Sequence, residues 1–100
     1  MTKYAVFFRN DCPDIKFDPE LTRKEIIHSK RFTGICTIEA KNLHDVFSKM
    51  QSSKWLPTGE TSLTKKLKLN HISMIAGDVI YDTAKDVYFQ VDMLGFAEVK

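Results

Sequence analysis

SMIAGDVIYDTAKDVYFQVDMLGF, residues 73–96, is the stretch whose reading decides the fold. Ile72, Met74 and Ala76 alternate into Gly77-Asp78, where glycine permits a turn or bulge and aspartate satisfies turn amides. Asp78 to Tyr81 then reads as a strand, and Asp82 to Asp86 is a polar connection of hairpin length. Val87 to Val91 pairs back, with Val87, Phe89 and Val91 on one face and Tyr88 and Gln90 on the other. Leu94-Gly95 turns the chain once more, and Phe96 to Val99 closes the run as a short strand. The expected unit is an antiparallel meander.

The preceding chain reads as material packed on that sheet. Lys3 to Phe8 is aromatic and β-branched with apolar residues on both faces, so it predicts a central strand. Asn10, Asp11, Pro13 and Asp14 end it with turn chemistry. Asp18-Pro19-Glu20 has the cap, first-turn proline and acidic residue of a helix start, which predicts a short helix from Pro19 to Ile27. Thr33 to Glu39 reads as a strand. Gly34 marks a bulge or the strand's start, with Ile35, Thr37 and Glu39 on one face and Cys36 and Ile38 on the other. From Ala40 to Gln51, Leu43, Val46, Phe47 and Met50 recur at i, i+3, i+4 and i+7, the single apolar stripe of an amphipathic helix. Ser52 to Glu60 is loop-like and carries Trp55, while Thr61 to Asn70 is an irregular or short-strand approach to the last sheet.

These readings give one α+β domain spanning residues 1–100. It has an antiparallel sheet of four or five strands, one amphipathic helix packed across a face and a second short helix at an end or edge. The expected core includes Val6, Phe8, Ile35, Ile38 and Leu43 from the first half of the chain. Val46, Phe47, Val79, Phe89, Val91 and Phe96 complete it.

One hundred residues suffice for one core and not two, and 43% hydrophobic with 28% charged residues excludes a disordered or fibrous chain. No apolar run approaches the ~20 residues of a membrane helix. Met1 to Tyr4 leads into a strand rather than a signal segment, so a cytoplasmic setting is expected, with Cys12 and Cys36 reduced. The charge is unevenly spread. Residues 49–71 hold five lysines against Glu60 alone, whereas residues 72–100 hold five acidic residues against Lys85 and Lys100.

Little of this is catalytic chemistry. The three histidines and two cysteines lack the close paired spacing of zinc sites, so no metal and no cofactor is expected. Ser73 and His71 share a strand face, but no nucleophile elbow surrounds them. Cys36 alternates within a strand as a small core residue, and Asp78, Asp82, Asp86 and Asp92 fall where turns favour aspartate. Lys54, Trp55, Lys65, Lys66, Lys68 and His71 combine positive charge with a ring able to stack on a base, and they are the candidate binding residues. Tyr81, Tyr88 and Gln90 present either a partner-binding face or the second side of a covered sheet.

The run from Ser73 to Phe96 resembles a family of small phage- and plasmid-borne proteins of unassigned function. Their signature is Ser-Met/Leu-Ser-Val-Gly-Asp-Val/Ile-Val/Ile, followed by a short hairpin ending in Gly-Phe or Gly-Trp. Ser73, Met74, Gly77, Asp78, Val79, Ile80, Gly95 and Phe96 match it, while Ile75 and Ala76 depart from it. The likeness covers about a quarter of the chain and implies a context rather than an activity. The expectation is a non-catalytic cytoplasmic binding protein, an accessory of a mobile element acting through protein contacts, with self-association through a sheet edge. A nucleic-acid-binding module using Lys54 to His71 is the alternative, and a small hydrolase stands a distant third.

Overall fold

In a computed structural model, residues 1–9, 17–28, 31–51, 74–92 and 95–100 are described. They form five antiparallel strands and two helices in one compact domain. The elements are β1 (Thr2–Arg9), α1 (Arg23–His28), β2 (Phe32–Ala40), α2 (Leu43–Lys49), β3 (Val79–Asp82), β4 (Val87–Asp92) and β5 (Gly95–Val99). The strand order is β2-β1-β3-β4-β5, so β1 is internal and the last three strands form the expected meander. Tyr4 pairs with both Ile38 and Asp82, which fixes the register of β1 on its two sides.

Each face of the sheet carries its own cluster. Tyr4, Val6, Phe8, Ile80 and Val91 share one, together with Val46 of α2 and Met50 at its C-terminal cap. Phe32, Val79, Tyr88 and Val99 share the other, closed by Leu21 and by Ile26 of α1. This answers the alternatives left open for the Tyr81-Tyr88-Gln90 face. Tyr88 and Gln90 are 7% and 2% exposed, so that side is covered rather than open.

Both helices are shorter than their sequence patterns predict. Ala40 ends β2 opposite Thr2, and Asn42 caps α2 by accepting a 2.9 Å hydrogen bond from the Asp45 amide. That capping bond starts the helix three residues later than Ala40. The predicted start of the other helix at Pro19 is likewise displaced. Asp18 takes the Glu20 amide in a turn, and Thr22 Oγ1 accepts from the Glu25 amide at the true start.

In β2, Cys36 and Ile38 share a face as expected, but Ile35 breaks its expected alternation with Thr37 and Glu39. Val6 pairs with Cys36 but Phe7 pairs with Gly34, leaving Ile35 as the extra residue of a bulge. An extra residue inverts the parity of everything before it. Cys36, Ile38 and Ala40 therefore align with the Val6 face, whereas Phe32 and Gly34 join the Phe7 face. Of the expected core, Val6, Phe8, Val46, Val79 and Val91 are buried, while Ile35, Ile38, Leu43, Phe47, Phe89 and Phe96 are only partly so.

The Gly77-Asp78 corner is architectural. Gly77 has φ +101°, which disfavours any side chain, and its amide donates to the Val91 carbonyl at 2.9 Å. Asp78 is fully buried. One carboxylate oxygen accepts from the Arg9 amide and the other from the Ile75 amide, each at 2.9 Å. A single side chain thus ties the end of β1 to the entry of β3.

Candidate binding cleft and sheet edge

The six residues picked out by charge and aromaticity, Lys54, Trp55, Lys65, Lys66, Lys68 and His71, lie outside the described residues, as do Ser73 and Cys12. Among the described residues no group of three or more His, Cys, Asp or Glu is arranged to hold a metal ion, and no helix is long and apolar enough to cross a membrane.

A cleft of about 470 Å³ opens where the start of α2 faces the β3–β4 hairpin. That volume lies within the ~300–1,000 Å³ usual for small-ligand sites. The sheet contributes Tyr4, Asp82, Phe89 and Phe96 to its lining. The chain entering α2 contributes Lys41, Asn42 and His44, and the hairpin contributes Lys85. The ladder explains the grouping: Tyr4 and Asp82 are direct cross-strand partners, so their side chains emerge side by side on one face.

Two of these groups are unusual for a sheet face. Tyr4 is 5% exposed and Asp82 4% exposed, yet both line open space. Asp82 Oδ1 accepts the Ala84 and Lys85 amides at 3.0 Å each, which closes the hairpin turn. Among the described residues, Asp82 Oδ2 and the Tyr4 hydroxyl have no hydrogen-bond partner. Buried polar groups are ordinarily paired, so these two stand out. Lys41 and Lys85 at the rim form no ion pair with a described residue. His44 is exposed and meets Phe96 edge-on at 5.1 Å between ring centroids.

A second polar cluster holds α1 to the other side of the hairpin. Arg23 donates to Asp86 at 2.8 Å and lies 5.0 Å over the Tyr88 ring. The Tyr81 hydroxyl also donates to Asp86, at 2.7 Å, and the two tyrosine rings are 4.3 Å apart. The hydrogen bonds from Tyr81 and Arg23 hold the Asp86 carboxyl below the usual range, and the bond to Asp86 pushes the Tyr81 phenol up. Both bonds converge on Asp86 Oδ1, so the cluster reads as a fastening. Cys36 is likewise structural: burial raises its thiol pKa, and its sulfur lies 3.9 Å from that of Met50.

The sheet has two edges, β2 and β5. The bulge at Ile35 distorts the first, and a bulge is a common way to blunt an edge. The second is regular: Gly95 to Val99 pair with β4 and, among the described residues, with no other strand.

Comparison with family models, curated proteins and solved structures finds no match to the chain.

Proposed function

We propose that the chain is a small, non-catalytic cytoplasmic binding protein that acts by adding a strand of a protein partner to the outer edge of β5. The observation that carries this reading is that edge itself, five residues with a regular ladder on one side and, among the described residues, no strand on the other. Unpaired strand edges recruit extended peptides through main-chain hydrogen bonds, and no side-chain chemistry is required. In this reading α2 lies across part of the Tyr4 face and α1 covers the Tyr88 face, and the β5 edge remains. The resemblance of Ser73 to Phe96 to phage- and plasmid-borne proteins supports a role as an accessory of a mobile element.

The test uses proline. Successive amides of an edge strand alternate between ladder and solvent, so one of Ala97→Pro and Glu98→Pro leaves the ladder intact. Tagged full-length chain and both variants are expressed in the native host, and folding is checked by circular dichroism. The folded variant is expected to lose the partner that the parent chain captures. Equal capture by a folded variant refutes the edge as the contact.

Nucleic-acid binding through Lys54, Trp55, Lys65, Lys66, Lys68 and His71 remains the alternative, carried by composition alone. A salt-sensitive change in Trp55 fluorescence on adding single-stranded RNA or DNA would favour it, because phosphate contacts release counterions.

A further inference from the structure

We infer that the cleft between the start of α2 and the β3–β4 hairpin binds a phosphorylated sugar, either free or as the sugar-phosphate moiety of a nucleotide. This goes beyond the partner-binding reading and does not depend on the β5 edge.

Two polar groups in the cleft lack a described partner. A carboxylate only accepts hydrogen bonds, and Asp82 has one oxygen committed to the turn and the other without a described partner. The Tyr4 hydroxyl beside it is in the same position. Both are more than nine-tenths buried, where an unmet polar group is costly. An occupant that brings hydroxyl or amine donors to this end of the cleft meets both groups in place of water. At the rim, Lys41 and Lys85 are exposed donors and cations, Lys85 with no described counter-ion and Lys41 with Asp45 near enough to share its charge, so an anionic group on the same occupant is favoured there. Lysine is a common phosphate ligand because it acts as a compact point charge. Phe89 and Phe96 are partly buried and supply an apolar wall for the carbon face of a ring.

Other occupants meet fewer of these demands. Inorganic phosphate satisfies the lysines but carries no ring for the phenylalanines. A metal cation would satisfy Asp82 but would face two lysines. A neutral sugar offers donors to Asp82 and Tyr4 yet leaves Lys85 unmatched. Hydroxyls on a ring with a phosphate at one end satisfy the acid, the phenol, the cations and the apolar wall together.

Calorimetric titration and amide chemical-shift mapping of the full chain test this with ribose 5-phosphate, adenosine monophosphate, ribose and inorganic phosphate. Saturable binding of ribose 5-phosphate and the nucleotide is expected, at about millimolar affinity or tighter, with shifts centred on Tyr4, His44, Asp82 and Phe96. The tighter of the two identifies the source of the moiety. Ribose and phosphate should each bind at least about tenfold more weakly. Tyr4→Phe deletes one oxygen only. It should leave the unliganded melting temperature unchanged or raised while weakening ribose 5-phosphate about three- to tenfold. Lys41→Ala with Lys85→Ala should abolish saturation. The inference is overturned if neither phosphorylated sugar saturates below about 20 mM, or if the nucleotide binds without ribose 5-phosphate. Unchanged affinity in the Tyr4 and lysine variants also overturns it. So does phosphate binding as tightly as ribose 5-phosphate, which marks an adventitious ion only.

Discussion

Replacing Asp78 by alanine probes the joint between β1 and β3. The carboxylate serves two amides, and the two are not equally placed. The Arg9 amide is buried, so losing its acceptor leaves a dry, unpaired N–H, a loss of about 1–3 kcal/mol. The Ile75 amide is only part-buried, and water can replace much of its bond, leaving about 0.5–1 kcal/mol. The deleted side chain was itself fully buried, and the small void adds to the cost. About 2–4 kcal/mol in all is expected, a large share of the 5–15 kcal/mol of an ordinary domain. For a chain of this length that lowers Tm by roughly 10–25 °C. Urea unfolding followed by circular dichroism gives the free energy, and hydrogen exchange gives the location, with the Arg9 and Ile75 amides losing protection first. Asp78→Asn retains one acceptor and should fall between the parent and Asp78→Ala. A loss below about 1 kcal/mol, or unchanged protection at Arg9, would show that the corner is held by something other than this carboxylate.

Three further outcomes follow from named contacts. Met50 is fully buried and Phe47 only partly, so Met50→Ala should cost about 2–4 kcal/mol and Phe47→Ala clearly less; the reverse order in urea unfolding would refute the packing of α2. Tyr81 should ionise above the usual tyrosine value, and Asp86→Asn should bring it down, followed by absorbance at alkaline pH. The sign follows from the raised pKa: the Tyr81 contact stabilises below the unfolded phenol's pKa and is lost as pH rises through the folded one, whereas the Asp86 contribution, from a lowered pKa, is lost as pH falls into the acid range. Gln90 grips the backbone of Asp18 with both amide atoms, at 2.7 Å each, so Gln90→Ala should cost about 1–3 kcal/mol and release protection at Asp18; intact protection there would refute the clamp.

Much of the fold was legible because the final meander and β1 carry strong local signals. Val79-Ile80 and the Val87 to Val91 alternation admit few other readings, and Gly77-Asp78 marks the corner. In β2 one residue of geometry displaced the expected alternation. The bulge at Ile35 reversed the faces of Phe32 to Gly34 relative to Cys36 to Ala40, and nothing in a period-two pattern announces which residue is extra. The start of α1 was written in the sequence as Thr22-x-x-Glu25, a capping pattern overshadowed by Asp18-Pro19. The cleft was not legible at all. Tyr4 and Asp82 each look ordinary in their own strands, and only the β1–β3 ladder sets them beside each other.

The strand order has a consequence in time. β1 is made before β2 and β3 but lies between them in the sheet, and β3 follows it by about seventy residues. Until Val79 to Asp82 arrive, β1 and β2 form a two-stranded ribbon with Val6 and Phe8 half-covered, too little for independent stability. Closing the sheet means joining Tyr4 to Asp82 across nearly the whole sequence, a long-range contact of the kind that slows folding. The nascent chain therefore displays a growing β1 edge through most of its synthesis, and its vulnerable period for mispairing is the interval before the hairpin of β3 and β4 docks.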